Sequence, residues 1–159
     1  MLNIGFLNPH FFTFFGFYIF VFMKEINHEY QVRVRYAETD QMGVVYHGNY
    51  ATYFEVARVE FLRSLGINYS DLEKKGIILP VLELNMKYIR PAFYDDLLTI
   101  NTICKEINNT RITFESTISK EGKPLTIGLV TLVFVDGKTR KPMRCPDEFA
   151  KLFGVTNSN

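Results

Sequence analysis

The stretch Thr39-Asp40-Gln41-Met42-Gly43-Val44-Val45-Tyr46-His47-Gly48-Asn49-Tyr50 gathers the side chains of this 159-residue chain best suited to chemistry. Asp40 carries a carboxylate, which needs no special activation to be anionic at neutral pH. It precedes by a few residues a predicted helix start near Asn49. The first turn of a helix exposes N–H groups without an intrahelical partner and a partial positive charge. Those donors suit an anion, including the oxyanion that forms when a carbonyl is attacked. A carboxylate beside them would set an attacking group next to an electrophile stabiliser, an arrangement suited to acyl transfer to water. An aspartate before a helix also serves simply to cap it, so residue types alone leave both readings open.

The elements that must position this stretch are legible as periods. Residues 30–36 alternate apolar and polar side chains like a half-buried strand, and residues 37–43 break that period. Tyr50, Tyr53, Phe54, Ala57, Phe61, Leu62 and Leu65 follow one helical face, with Glu55, Arg58, Glu60 and Arg63 on the other. Asn49 is the expected N-cap and Gly66 the expected residue just past the end, giving a helix of about 25 Å. Ser70 to Lys75 reads as one capped turn closed by Gly76. Strands are predicted from Leu82 to Tyr88, Leu97 to Glu106, Arg111 to Lys120 and Leu125 to Val135. The last is apolar at both parities in its second half, as for a strand covered on two faces. Pro146 to Phe153 reads as a closing helix with proline in its first position. One strand, a long helix, then strands joined by hairpin-length turns predict an α+β domain: an antiparallel sheet of about five strands with the helix on one face.

Composition removes several classes. Lys plus Arg number 18 against 17 Asp plus Glu, a balance that argues against broad nucleic-acid binding. Cys104 and Cys145 form no C-x-x-C pair, so neither a zinc ribbon nor a disulfide framework is indicated, and a reducing cytoplasm is compatible. A multi-histidine metal centre would consume nearly all of His10, His28 and His47, and no metal is expected. The glycine-rich fingerprints of dinucleotide and triphosphate sites are absent.

The run from Asp40 through Gly43, Val44-Val45-Tyr46-His47 and Asn49-Tyr50 resembles the active-site motif of the hotdog-fold acyl-CoA thioesterases. The likeness is to the 4-hydroxybenzoyl-CoA thioesterase class and its YbgC-like branch. Phe54-Glu55-x-x-Arg58, Tyr88-x-Arg90-Pro91-Ala92 and Asp95-Asp96 fit the same pattern, so the resemblance spans residues 28–150. It implies a sheet wrapped around one long central helix, and hydrolysis of an acyl-CoA thioester to a carboxylate and free coenzyme A. Asp40 matches the catalytic aspartate, acting as nucleophile through a mixed anhydride or as base for a water. The His47 N–H would polarise the thioester carbonyl, while Tyr46 and the His47 imidazole line the pocket or orient the leaving thiolate. Gly43, Val45, Gly48 and Asn49 are the implied substrate-binding positions, Gly43 through a positive φ or close backbone approach. Glu55 and Arg58 are implied as a structural pair. No cofactor is implied, coenzyme A being part of the substrate. Its phosphates need cations, and Lys87, Arg90, Lys105 and Arg111 are equally ordinary solvent-facing positions. The resemblance further implies a homodimer or homotetramer with the site between subunits, and a cytoplasmic location is expected. An acyl-carrier-protein thioesterase and a non-catalytic acyl-binding module are the alternatives; a binder has no need of Asp40.

Residues 1–22 stand apart. They hold eight of the 15 phenylalanines and no charged side chain, and the uninterrupted run Phe11 to Met23 is 13 residues, short of the roughly 20 of a membrane span. They are read as a leader outside the domain at 23–159: a misassigned start with Met23 as initiator, a disordered or atypical membrane segment, or an added strand. Membrane contact is expected only if that leader is real.

Overall fold

The computed structural model describes residues 26–154. The leader and the Met23 start lie outside them. Strand β1 (Asn27–Arg33) is followed by helix α1 (Asn49–Ser64), helix α2 (Tyr69–Lys74) and the short strand β2 (Ile77–Ile78). Strands β3 (Val81–Tyr88), β4 (Leu97–Ile107), β5 (Arg111–Lys120) and β6 (Lys123–Val133) come in one block. Strand β7 (Val135–Asp136) and helix α3 (Asp147–Phe153) close the chain. The main sheet is antiparallel in the order β1-β4-β5-β6-β3, and β2 pairs with β7 in a separate ribbon. This is the predicted α+β class with five strands; the β2–β7 ribbon was not predicted.

Helix α1 buries Tyr50, Tyr53, Phe54, Ala57, Phe61 and Leu62, the face read from its period. Opposite it, inward positions Ile100 and Thr102 of β4, Phe114 and Ser116 of β5, and Val130 and Leu132 of β6 are buried. Phe61 meets the Phe114 ring edge-on at 5.6 Å and stacks on Phe153 at 6.2 Å, which draws α3 onto the same core. Two of the buried hydroxyls, those of Thr102 and Ser116, are directly opposed and hydrogen-bonded at 2.8 Å, so neither is left unsatisfied. At Gly128 of β6 the Phe54 ring of the helix packs directly against the strand backbone. A Cβ there would lie 2.4 Å from the enclosed Phe54 ring.

Four local expectations are corrected. The first strand ends at Arg33, not at residue 36. The Glu38 carboxylate captures the Arg35 N–H at 2.7 Å, and the chain turns into a 3-10 segment over Tyr36–Glu38 instead of extending the ladder. Asn49 is the first helical residue and not the cap; Gly48 precedes it with helical φ and no side-chain cap. Pro146 likewise stands one position before α3. The outer face of β6 is only partly covered, with Leu129 exposed. Gly66 does occupy the expected left-handed position after α1, at φ 81°.

Candidate active site

The Asp40 stretch folds as a tight double-armed loop. Asp40 accepts the Gly43 N–H on its carbonyl at 2.9 Å, and Gly43 takes φ +77°, the positive value expected for it. The arms pair through an isolated Thr39–Val45 bridge and the Asp40 N–H to Val44 carbonyl bond of 2.9 Å. A neighbouring turn holds the loop from the side, where Val45 donates to the Ala92 carbonyl at 2.8 Å and Val44 bridges Phe93. That turn is secured in turn by Asp96, whose carboxylate accepts the Phe93 N–H at 2.9 Å and pairs with Lys120 at 2.6 Å.

One oxygen of the Asp40 carboxylate, Oδ1, accepts the Met42 N–H at 2.8 Å. Among the described residues no other group donates to that carboxylate, which leaves Oδ2 available. The helix start lies across from it. The Asn49 N–H is used by the Tyr46 carbonyl at 2.9 Å, but the N–H groups of His47 and Gly48 have no partner among the described residues. A fixed carboxylate and two unpaired amides at a helix N-terminus can together hold a carbonyl and the charge that develops on it.

Asp40 and His47 share a groove of about 310 Å³ lined by Asp40, Met42, Val44, Val45, His47, Tyr50, Tyr88, Ile89, Arg90 and Pro91. Asp40, Val45 and His47 of the expected site residues therefore meet. Tyr46, Gly43, Gly48 and Asn49 do not line it. The Tyr46 ring lies 4.2 Å from the His47 ring and closes over Gly48, where a Cβ would sit 2.8 Å from Tyr46 Cε1. The Asn49 amide points inward and donates to the Glu38 carbonyl at 2.7 Å. Arg58 is buried and donates to the Tyr69 hydroxyl at 3.2 Å, so its partner is α2 and not Glu55. A larger hollow of about 390 Å³ beside α2 is ringed by Asp71, Lys74, Lys75 and Glu148, whose charges pair with one another away from the motif.

Two residues absent from the expected set stand out. Tyr88 donates to the His47 carbonyl at 3.0 Å and meets the Tyr50 ring edge-on at 5.4 Å, tying edge strand β3 to the helix start. Its place in the Tyr88-x-Arg90-Pro91-Ala92 pattern was the available signal. Glu38 is buried at 7% exposure, and it accepts the Arg35 N–H, the Arg35 guanidinium and the Tyr53 hydroxyl. Burial is the largest influence on its carboxyl and pushes the pKa up. The bonds from Arg35 and Tyr53, with the Arg35 charge, outweigh it and hold the group below its ordinary 4.5. A depressed carboxyl contributes stability that is present above its unfolded pKa and lost as pH falls through the folded one. Melting curves from pH 7 to pH 3 are therefore expected to fall more steeply below about pH 4.5 for the native chain than for Glu38→Gln. Parallel curves would contradict this. The thiols are remote from such chemistry: desolvation pushes Cys104 up to about 12 and Cys145 up to about 11.

A five-stranded antiparallel sheet over one principal helix is the architecture of the hotdog fold. A profile of the thioesterase-like superfamily matches residues 34–153, and the chain belongs to that family. YneP of Bacillus subtilis is 36% identical over 124 residues, covering 77% of this chain and 87% of that protein. The acyl-CoA thioesterase YbgC of Haemophilus influenzae is 34% identical over 132 residues, covering 82% of this chain and 97% of that one. Among solved structures, a DHNA-CoA thioesterase from Staphylococcus aureus superposes with a TM-score of 0.76 at 38% identity, covering 82% of this chain and 93% of the other. The chain is thus an enzyme of the thioester-hydrolase class.

Proposed function

We propose that the groove hydrolyses an acyl-CoA thioester to a carboxylate and free coenzyme A, with Asp40 as the attacking or activating group. The observation that carries this reading is the Asp40 carboxylate sharing one groove with His47, whose N–H has no partner among the described residues. In one route Oδ2 attacks the thioester carbonyl and the oxyanion rests on the His47 amide. Collapse then expels the thiolate, leaving a mixed anhydride that water cleaves. In the other, the carboxylate takes a proton from the water that attacks. Neither route calls for a metal or redox cofactor. The mixed lining, with Val44, Val45, Tyr50 and Ile89 beside Asp40 and Arg90, suits an apolar acyl group ending at a polar reacting centre.

The enzyme is proposed to work as at least a homodimer. Strand β3 is the outer edge of the sheet beyond β6, and Val81 and Leu82 on it are more than half exposed, with Leu84 and Tyr88 also exposed. An apolar open edge is a template for pairing with a second strand, and a second copy there would cover the side of the groove formed by Tyr88 and Ile89. Two free thiols fit the proposed cytoplasmic location.

Thiol release from a panel of acyl-CoA esters (short, branched, aromatic and long), with acyl-carrier-protein esters alongside, tests the reading on material whose mass is measured in solution. Turnover of at least one acyl-CoA by a dimer or larger species is expected. A monomer, or activity on carrier-protein esters alone, would contradict it.

A further inference from the structure

We propose that Glu38 is a positioning residue, which clamps the Asp40 loop to helix α1 at two points and so sets the carboxylate against the amides of the helix start. This rests on the thioesterase reading above and names what holds its geometry. Glu38 lies two residues before Asp40. Its carbonyl accepts the Tyr46 N–H at 2.9 Å and the Asn49 side-chain amide at 2.7 Å. Its carboxylate continues along the helix and accepts the Tyr53 hydroxyl at 2.8 Å. Asn49 and Tyr53 are four residues apart on one helical face, about 6 Å along the axis. A loop tied at one of these points could pivot about it; tied at both, its angle to the helix is fixed.

Arg35 completes the clamp. Its guanidinium donates to Oε1 at 3.0 and 2.6 Å and its N–H donates to Oε2 at 2.7 Å, so both carboxylate oxygens are held and cannot swing away from Tyr53. Burial alone would be met at lower cost by an apolar side chain. A carboxylate supplies direction, since it alone can accept the hydroxyl and the guanidinium at once. Glu38 is not part of the groove lining. It acts through the placement of Asp40, where an error of about 1 Å can cost on the order of a hundredfold in rate.

The test compares Tyr53→Phe and Glu38→Gln with the native enzyme, using the acyl-CoA ester turned over fastest and recording kcat, KM and melting temperature. Tyr53→Phe removes a single hydroxyl, and it is expected to stay folded with kcat lowered about fivefold to tenfold and KM changed less than about twofold. Glu38→Gln should lower kcat further, by about tenfold to a hundredfold. Should Glu38→Gln not fold, Tyr53→Phe decides alone. A folded Tyr53→Phe with native kcat, or a loss carried by KM, overturns the clamp while leaving the thioesterase reading intact. A native enzyme silent on every acyl-CoA overturns that reading, and the clamp with it.

Discussion

Asp40→Asn is expected to remove thioester turnover, with kcat lowered about a thousandfold or more, while melting temperature and oligomer size stay within error of the native protein. A general base contributes roughly 10² to 10⁴ in rate and a nucleophile at least as much. The fold should be indifferent because the change is nearly isosteric and the structural bond survives. Oδ1 accepts the Met42 N–H at 2.8 Å, and the carbonyl oxygen of an asparagine can accept it equally well. The loop is otherwise built from main-chain bonds of Asp40, Gly43, Val44 and Val45, which the substitution does not touch. What disappears is the negative charge and nucleophilicity of Oδ2. Steady-state thiol release, checked against thermal melting and size in solution, reads both halves. Native kcat in the variant would take Asp40 out of the mechanism.

The largest stability effect is expected at Gly128. A Cβ there would lie 2.4, 2.6 and 2.8 Å from three atoms of the Phe54 ring, closer than real contacts allow. Phe54 lies on α1 with no exposed surface, so its ring has no open space to turn into. Gly128→Val should therefore cost about 3 kcal/mol or more, beyond the usual range for overpacking. For a domain of this size that is roughly 10 °C or more in melting temperature. Phe54→Ala on its own should cost about 3–5 kcal/mol through the cavity it leaves. The two together should cost less than their sum, because the valine fills space the ring vacates. Thermal melts of both single variants and the double variant check this; additivity, or a Gly128→Val protein melting within about 2 °C of native, would contradict the close approach.

The sequence carried the outline of this molecule because its main elements are written in periods. The helical face from Tyr50 to Leu62 and the alternation along β4 and β5 follow from which side must be buried, whereas β3 alternates in sequence but buries neither face within one copy of the chain. Long-range hydrogen bonding is not periodic, and there the reading failed. Arg58 looked like a solvent-face charge until α2 brought the Tyr69 hydroxyl to it. Asn49 reads as a cap because asparagine is among the residues favoured there, yet its amide is drawn back to the Glu38 carbonyl by a loop eleven residues earlier. Glu38 carries no local signal that separates it from the other acidic residues of the chain. Its importance depends on Tyr53, fifteen residues on, and no local pattern shows that bond. The Asp40 carboxylate and the helix start were legible as a motif. The groove that joins them also needs Tyr88, Ile89 and Arg90 from the end of β3 and the turn after it, which come alongside only through sheet topology.

The most direct test of Asp40 as the reacting group is a crystal structure of the Asp40→Asn protein with an uncleaved acyl-CoA in the groove. The expected result has the thioester carbonyl oxygen about 3 Å from the His47 N–H. The carbonyl carbon should lie about 3–3.5 Å from the substituted side chain, or one water away from it. An acyl-CoA bound with its thioester remote from position 40, or with the carbonyl turned away from the helix start, would contradict it.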